Sequence, residues 1–217
     1  MGKIVMTEDG THTIYHEQLQ CTYHSLKGAL QESARIFIEL GLWAKMKEKR
    51  QISILEVGFG TGFNALLTAL EADKNDLNIQ YTGLEPFPVS TENISALNYD
   101  EVMNTRILSE IHQTEWGTPA VISPNFILTK VNTRLQDFKS SEKFDLVYYD
   151  AFAPTDQPEL WTEDIFQQLV NLMENGGFLT TYCSKSIVRK AMLASGFQVE
   201  KHKGPKSKRE VLRAIKA

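Results

Sequence analysis

The stretch Ile52-Ser-Ile-Leu-Glu-Val57 has the apolar pattern of a buried strand and runs straight into Gly58-Phe-Gly-Thr-Gly62, after which a helical pattern starts at about Asn64. A strand that stops at a glycine loop and resumes as a helix commits the chain to an α/β unit. Gly58, Gly60 and Gly62 lack the β-carbons that would hold a ligand away from the main chain, and the helix start offers unpaired N–H groups to a polar ligand. Spacing narrows the choice of ligand. A dinucleotide fingerprint requires Gly or Ala three residues after its second glycine, and Phe63 stands there, so a nicotinamide cofactor is disfavoured.

Two acidic residues sharpen the reading. Glu56 lies just before the loop and suits an ammonium group, while a second strand, Ile79 to Leu84, ends in Glu85, where a carboxylate can hold two ribose hydroxyls. S-adenosyl-L-methionine carries both features. Its sulfonium would also be drawn to an aromatic face, for which Phe59 is the candidate.

Organisation along the chain supports a single α/β domain in 217 residues, with a small N-terminal appendage. Lys3 to Met6, an Asp9-Gly10 turn and Thr11 to Tyr15 read as a hairpin. A helix is expected from Leu26 to Leu40, with Gly41 as its stop. Residues 1–45 are thus expected to form a hairpin-and-helix cap, and residues 46–217 the main domain. Further strands are expected at Phe126–Val131, Phe144–Tyr149, Phe178–Tyr182, Phe197–His202 and Glu210–Ile215, and helices at Asn64–Glu71, Val89–Leu97 and Thr162–Met173. Alternation of this kind builds a mostly parallel sheet. Only Lys203 to Arg209, with Gly204 and Pro205, separates the last two strands, so they must pair antiparallel.

The net charge of −4 argues against a wholly basic nucleic-acid coat but leaves room for a local basic face. Lys185, Arg189, Lys190, Lys201, Lys203, Lys206, Lys208, Arg209 and Arg213 concentrate late in the chain. Cys21 and Cys183 lack ligand or disulfide spacing, so no metal is expected. No membrane-length apolar run or signal-peptide core occurs, and the expected location is the cytoplasm.

The fourth main strand ends in Asp150, followed by Ala-Phe-Ala-Pro154 and by Pro158-Glu-Leu-Trp161. In an open parallel sheet, ligands sit beyond the strand carboxyl ends at the switch in strand order, which is where Asp150 should point. Pro154 stiffens the loop, and Phe152 or Trp161 could stack on a planar base. Plain readings stay open: Glu56 paired with a lysine, Glu85 capping a helix, Asp150 bracing a turn, the aromatic residues as packing, the basic cluster as a solvated face.

Over nearly its full length the chain resembles the methyltransferase component of the enzymes that make 5-methylaminomethyl-2-thiouridine in tRNA. The segments that carry the likeness are Tyr23-His-Ser-Leu-Lys-Gly-Ala-Leu-Gln-Glu-Ser33, Glu56 to Asn64, Glu85-Pro-Phe-Pro88, Asp150 to Pro154 with Pro158 to Trp161, and Lys203-Gly-Pro-Lys-Ser-Lys-Arg-Glu210. The resemblance implies a Rossmann-like class I methyltransferase fold. It further implies transfer of a methyl group from S-adenosyl-L-methionine to the amine of 5-aminomethyl-(2-thio)uridine at the tRNA wobble position. Asp150 would be catalytic; Glu56, Gly58, Phe59, Gly60, Gly62, Glu85 and Asn132 would face the cofactor; Phe152, Pro154, Trp161, Lys206, Lys208 and Arg209 would face the tRNA. Family members are often fused to a flavin-dependent oxidase, so a stand-alone enzyme with a separate supplier of the amine is expected here. One departure stands out: Val131-Asn132 replaces a Gly-Asp pair, leaving an amide to meet the adenine. Two rivals remain, a small-molecule amine methyltransferase and a non-catalytic tRNA- or adenosine-binding module.

Overall fold

The computed structural model describes residues 2–17, 19–206 and 208–217. The hairpin forms as expected, β1 (Lys3–Met6) against β2 (His12–His16), and a short β3 (Cys21–Thr22) extends it to three strands. A helix then begins at Ala29 and continues as α1 (Ala29–Ser33), a π-helical stretch (Ala34–Leu42) and α2 (Trp43–Lys45). Gly41 does not end it. A β-carbon there would sit 3.2 Å from the Tyr148 ring and 3.4 Å from Leu146, so this glycine lets the helix lie close against the sheet.

The main sheet contains β4 (Gln51–Val57), β5 (Asn78–Leu84), β6 (Ala120–Ser123), β7 (Phe126–Val131), β8 (Phe144–Tyr149), β9 (Met173–Thr181), β10 (Phe197–Lys203) and β11 (Glu210–Lys216). Their spatial order is β10-β11-β9-β8-β4-β5-β7-β6. Strands β7, β5, β4, β8 and β9 run parallel, whereas β11 is antiparallel to both β9 and β10. The expected parallel sheet with a terminal hairpin is therefore present. Edge strand β6, antiparallel to β7, lay outside the sequence reading, because Pro119 and Pro124 bracket a segment of only four residues.

Helix α3 (Phe63–Asn75) follows β4; α4 (Thr91–Ser95), α5 (Tyr99–Val102) and α6 (Ile107–Gln113) lie between β5 and β6. Here the expected Val89–Leu97 helix is shorter, since Ser90 caps it by accepting from the Asn93 N–H. Helix α7 (Glu163–Leu172) starts as expected, with the Thr162 side chain accepting from Ile165 N–H and with Ile165, Phe166, Leu169 and Leu172 buried. Helix α8 (Ser186–Ala194) precedes the terminal hairpin.

Every residue of β8 is buried, as expected for a central parallel strand covered on both faces. Alternation sends Leu146 and Tyr148 into a layer with Phe37, Phe63 and Tyr81, and Val147 and Tyr149 into a layer with Trp161, Phe166 and Leu179. Between β4 and β8 the connections depart in opposite directions, one side running on to β5 and the other to β9. The carboxyl ends of these two strands define the crevice where the site lies.

Gly83, near the end of β5, faces the Phe59 ring so closely that a β-carbon would fall 2.3 Å from Phe59 Cδ2. Gly83→Ala should therefore destabilise the protein by about 1–3 kcal/mol through overpacking. Urea unfolding measures it; an unchanged midpoint would show that the ring relaxes freely.

Candidate active site

A cavity of about 800 Å³ opens at the carboxyl ends of β4 and β8. Its wall joins the glycine loop, the loop after β5, the segment after β8, strand β3 with the residues around it, and the turn of the terminal hairpin. Acidic Glu32, Glu85, Asp150, Asp156 and Glu159 line it against basic Arg134 and Lys208. A cavity with this excess of negative charge favours cationic ligands.

Gly58 is where glycine is indispensable. Its φ is +88°, and a β-carbon would meet the Asp150 carbonyl oxygen at 2.6 Å. The backbone closes the same junction, since Asp150 N–H donates to Val57 O at 2.9 Å. Loop donors, however, are already engaged: Gly58 and Phe59 N–H donate to Leu84 O, Gly62 N–H to Phe59 O, and Gly60 N–H to Glu85 Oε2 at 2.9 Å. The loop itself therefore presents bare main-chain surface to a ligand, with these four N–H groups turned to partners within the protein.

Glu85 stands on the cavity wall, its Oε1 accepting from Phe87 N–H at 2.9 Å. Each carboxylate oxygen keeps further acceptor capacity for a diol. Burial pushes its pKa above the ordinary value, countered by these two N–H donors. Phe87, 64% exposed at the rim, offers an open ring that the sequence reading did not single out.

Glu56 is placed differently from its expected role. It is 1% exposed and lies beneath the cavity floor, with Oε1 accepting from Asn64 Nδ2 at 2.8 Å and Oε2 from the Tyr81 hydroxyl at 2.8 Å. Burial raises its pKa well above the usual carboxylate range. Its contact with the site runs through Asn64, which lines the cavity and donates also to Asp150 Oδ2 at 2.9 Å. In the sequence Asn64 stood out only as the start of a helix and the last residue of a family-like segment, with no role assigned to it.

Asp150 faces the cavity. Burial raises its pKa, the Glu32 charge raises it further, and the Asn64 hydrogen bond and Lys208 pull it back, leaving it at about 7. The carboxyl can thus hold or release a proton near neutrality.

Several other expected residues are turned away. Phe59 is 2% exposed, with its ring against Gly83, His112 and Trp116, so packing rather than a platform for a cation explains it. Gly62 caps α3 behind the loop, at φ +76°. Asn132 spends its amide on Glu85 O at 2.8 Å and Pro86 O at 3.2 Å, fastening the ends of β5 and β7 together. Trp161 is 3% exposed and donates from Nε1 to Phe152 O at 2.8 Å; it braces the loop and cannot stack on a base. Pro154 lines a separate hollow of about 410 Å³ behind that loop. Of the three hairpin cations, Lys208 reaches the cavity, while Lys206 and Arg209 are exposed outside it.

Phe152 does line the cavity, its ring 5.2 Å from that of Tyr23 and 5.9 Å from that of His16. These contacts roof the site with residues from the N-terminal region, and Tyr23 also approaches the loop, 3.1 Å from where a Gly60 β-carbon would lie. His24 sits deeper, beside Thr13 and the Tyr99 hydroxyl; burial lowers its pKa to about 4, so it is neutral at neutral pH.

Comparison with known proteins agrees with this geometry. A family model described as S-adenosyl-L-methionine-dependent methyltransferase matches residues 98–217. The chain is similar to the tRNA 5-methylaminomethyl-2-thiouridine biosynthesis bifunctional protein MnmC of Leptospira interrogans, 30% identical over 96% of this chain and 34% of that protein. The MnmC of Actinobacillus pleuropneumoniae is 28% identical over 94% of this chain and 34% of its own length. This chain therefore spans about a third of these curated relatives. The crystal structure of MNMC2 from Aquifex aeolicus superposes with a TM-score of 0.79 at 28% identity, covering 99% of this chain and 70% of that one.

The raised pKa of Asp150 has a sign that stability measurements can read. Between the ordinary 3.8 and about 7 the folded protein binds this proton more tightly than the unfolded chain, so Asp150 costs stability increasingly as pH rises through that window. Asp150→Asn, which imitates the protonated side chain, should stabilise the fold most above pH 7 and progressively less towards pH 4. Unfolding midpoints across that range test it, and a difference independent of pH would refute the charge burial.

Proposed function

Because the chain belongs to the S-adenosyl-L-methionine-dependent methyltransferases and has their Rossmann-like class I fold, we propose that it methylates the amine of 5-aminomethyl-(2-thio)uridine at the tRNA wobble position. The product is 5-methylaminomethyl-(2-thio)uridine. The observation that carries the choice of an amine acceptor is Asp150, a carboxyl poised near neutrality at the switch point of the sheet. The tRNA substrate is supported by likeness to proteins named for 5-methylaminomethyl-2-thiouridine biosynthesis.

The residues present suit the donor. Glu85 would take the ribose hydroxyls, Phe87 would offer a face to the adenine, and Gly58 would allow close approach of the main chain. When bound, the donor supplies an electrophilic methyl group on a sulfonium sulfur. Asp150 orients the acceptor nitrogen and takes the proton that an aminomethyl group carries at neutral pH, leaving a lone pair free to attack. Asn64 holds Asp150 in place from below. Positioning is the larger contribution, worth roughly 7–11 kcal/mol of barrier, against about 10²–10⁴-fold for a general base. No covalent enzyme intermediate is required.

Of the expected cap, residues 1–45, the strands and the segment around Tyr23 roof the catalytic domain, as the contacts of Tyr23 and His16 with Phe152 support, whereas the helix from Ala29 packs into the core of the main sheet and belongs with residues 46–217. The exposed Lys185, Lys190, Lys203, Lys206 and Arg209 are available to tRNA phosphates, whereas Lys201 and Arg213 are already paired with Glu210 and Glu200. Binding through such contacts weakens steeply with salt. Among the described residues, no helix is long and apolar enough to cross a membrane and no acidic, His or Cys cluster could hold a metal. Cytoplasmic tRNA and a separate reaction that supplies the amine complete the proposal.

Nucleoside mass spectrometry of tRNA from a deletion strain should reveal accumulated aminomethyluridine; unchanged wobble nucleosides would reject the substrate. With purified protein, Asp150→Ala should lower turnover by about 10²–10⁴-fold while calorimetry finds donor affinity nearly intact. Loss of donor binding alone would instead assign Asp150 to the cofactor.

A further inference from the structure

One cation inside the cavity belongs to the protein itself. Lys208, from the turn between β10 and β11, places Nζ 2.7 Å from Glu32 Oε2 and 4.1 Å from the centre of the Tyr182 ring. Glu32 comes from α1 and is 9% exposed; Tyr182 follows β9, its hydroxyl fixed on Ala151 O at 2.9 Å. A carboxylate beside an aromatic face is a site for an alkylammonium ion. Lys208 ends in the same CH₂–NH₃⁺ group as a protonated aminomethyl substituent, and the site that holds it shares one cavity wall with Asp150.

We propose that Glu32 and the Tyr182 ring form the recognition site for the substrate's aminomethyl ammonium, and that Lys208 is the internal ammonium which the substrate displaces. The proposal rests on the reading of the chain as an aminomethyluridine methyltransferase. Exchange of one ammonium for another keeps Glu32 paired throughout, which avoids the large cost of a buried lone charge. The released Lys208 joins Lys206 and Arg209, exposed beside it, where phosphates can receive it. Asp150 then accepts one proton from the bound ammonium, giving a neutral amine and a carboxylic acid.

Asp150 is electrostatically surrounded by Glu32 from α1, Lys208 from the hairpin turn and Tyr182 after β9. Asn64 contacts it from α3, with Glu56 of β4 and Tyr81 of β5 behind. Removing the Glu32 charge should consequently shift the acidic limb of the pH–rate profile to lower pH, and removing the Lys208 charge should shift it higher.

The test uses methylammonium chloride as a probe, followed by NMR titration of the whole chain. Lys208→Ala should bind it at least about tenfold more tightly than the parent chain, and adding Glu32→Gln should abolish that gain. An unchanged affinity in Lys208→Ala, or a gain that survives Glu32→Gln, would overturn the proposal. Should Lys208→Ala fail to fold, Glu32→Gln alone decides: it should raise the KM for aminomethyluridine tRNA by about tenfold or more, with the limb moved to lower pH and donor affinity retained. No change in KM and no movement of the limb would refute the site. If the parent chain methylates no such tRNA while the methylammonium results hold, the ammonium site stands and the assigned substrate falls.

Discussion

A single side-chain amide holds the site together. Asn64 Nδ2 donates to Glu56 on one side and to Asp150 on the other, so two carboxyl groups that would repel one another are separated by a donor that satisfies both. Burial makes this arrangement matter, because an uncompensated acidic pair in a low-dielectric setting would expel a charge or accept a proton. Tyr81 supplies the remaining hydrogen bond to Glu56. The carboxyl that faces the cavity is thus held, through Asn64 on the cavity wall, by a layer of Glu56 and Tyr81 beneath the floor.

The geometry of that layer follows from the sheet. Strand β4 delivers Glu56 and the glycine loop, β8 delivers Asp150, and the two are joined in register from Ile54 opposite Leu146 to Val57 opposite Tyr149. Helix α3 begins where the loop ends and brings Asn64 back over the gap between them. The cap adds the roof, Tyr23 and His16 meeting Phe152. Floor, wall and roof come from distant parts of the sequence, which the parallel sheet gathers at one end.

Most of the fold was legible because hydrophobic periodicity and turn residues act locally. The five parallel strands and the last hairpin announce themselves as apolar runs between breakers, and Thr162 with Glu163 and Asp164 marks the start of α7. Gly41 misled because a glycine near the end of an apolar helix has two physical uses, stopping the helix or admitting a neighbour, and the Tyr148 ring that decides between them is over a hundred residues away. The site was legible by position and less so by orientation. Glu56, Phe59 and Trp161 lie where sequence placed them in the chain, yet each is turned into the interior by a partner that no local pattern reveals, and Asn132, though exposed, spends its amide on the backbone of the β5 end. Glu32 and Lys208 each fell in a segment that carries the family likeness and Tyr182 at a strand end, but their meeting depends on tertiary contact alone.

The alternation along β8 has a mechanical corollary. Tyr148 is locked into one core layer and Tyr149 into the other, and the next residue is Asp150. A carboxyl tethered to both halves of the interior has its coordinates surveyed from two independent benchmarks. Repacking of either layer reaches it within a residue or two along the strand. The median strand thereby sets where the carboxyl stands, and a change of volume on either of its faces moves it.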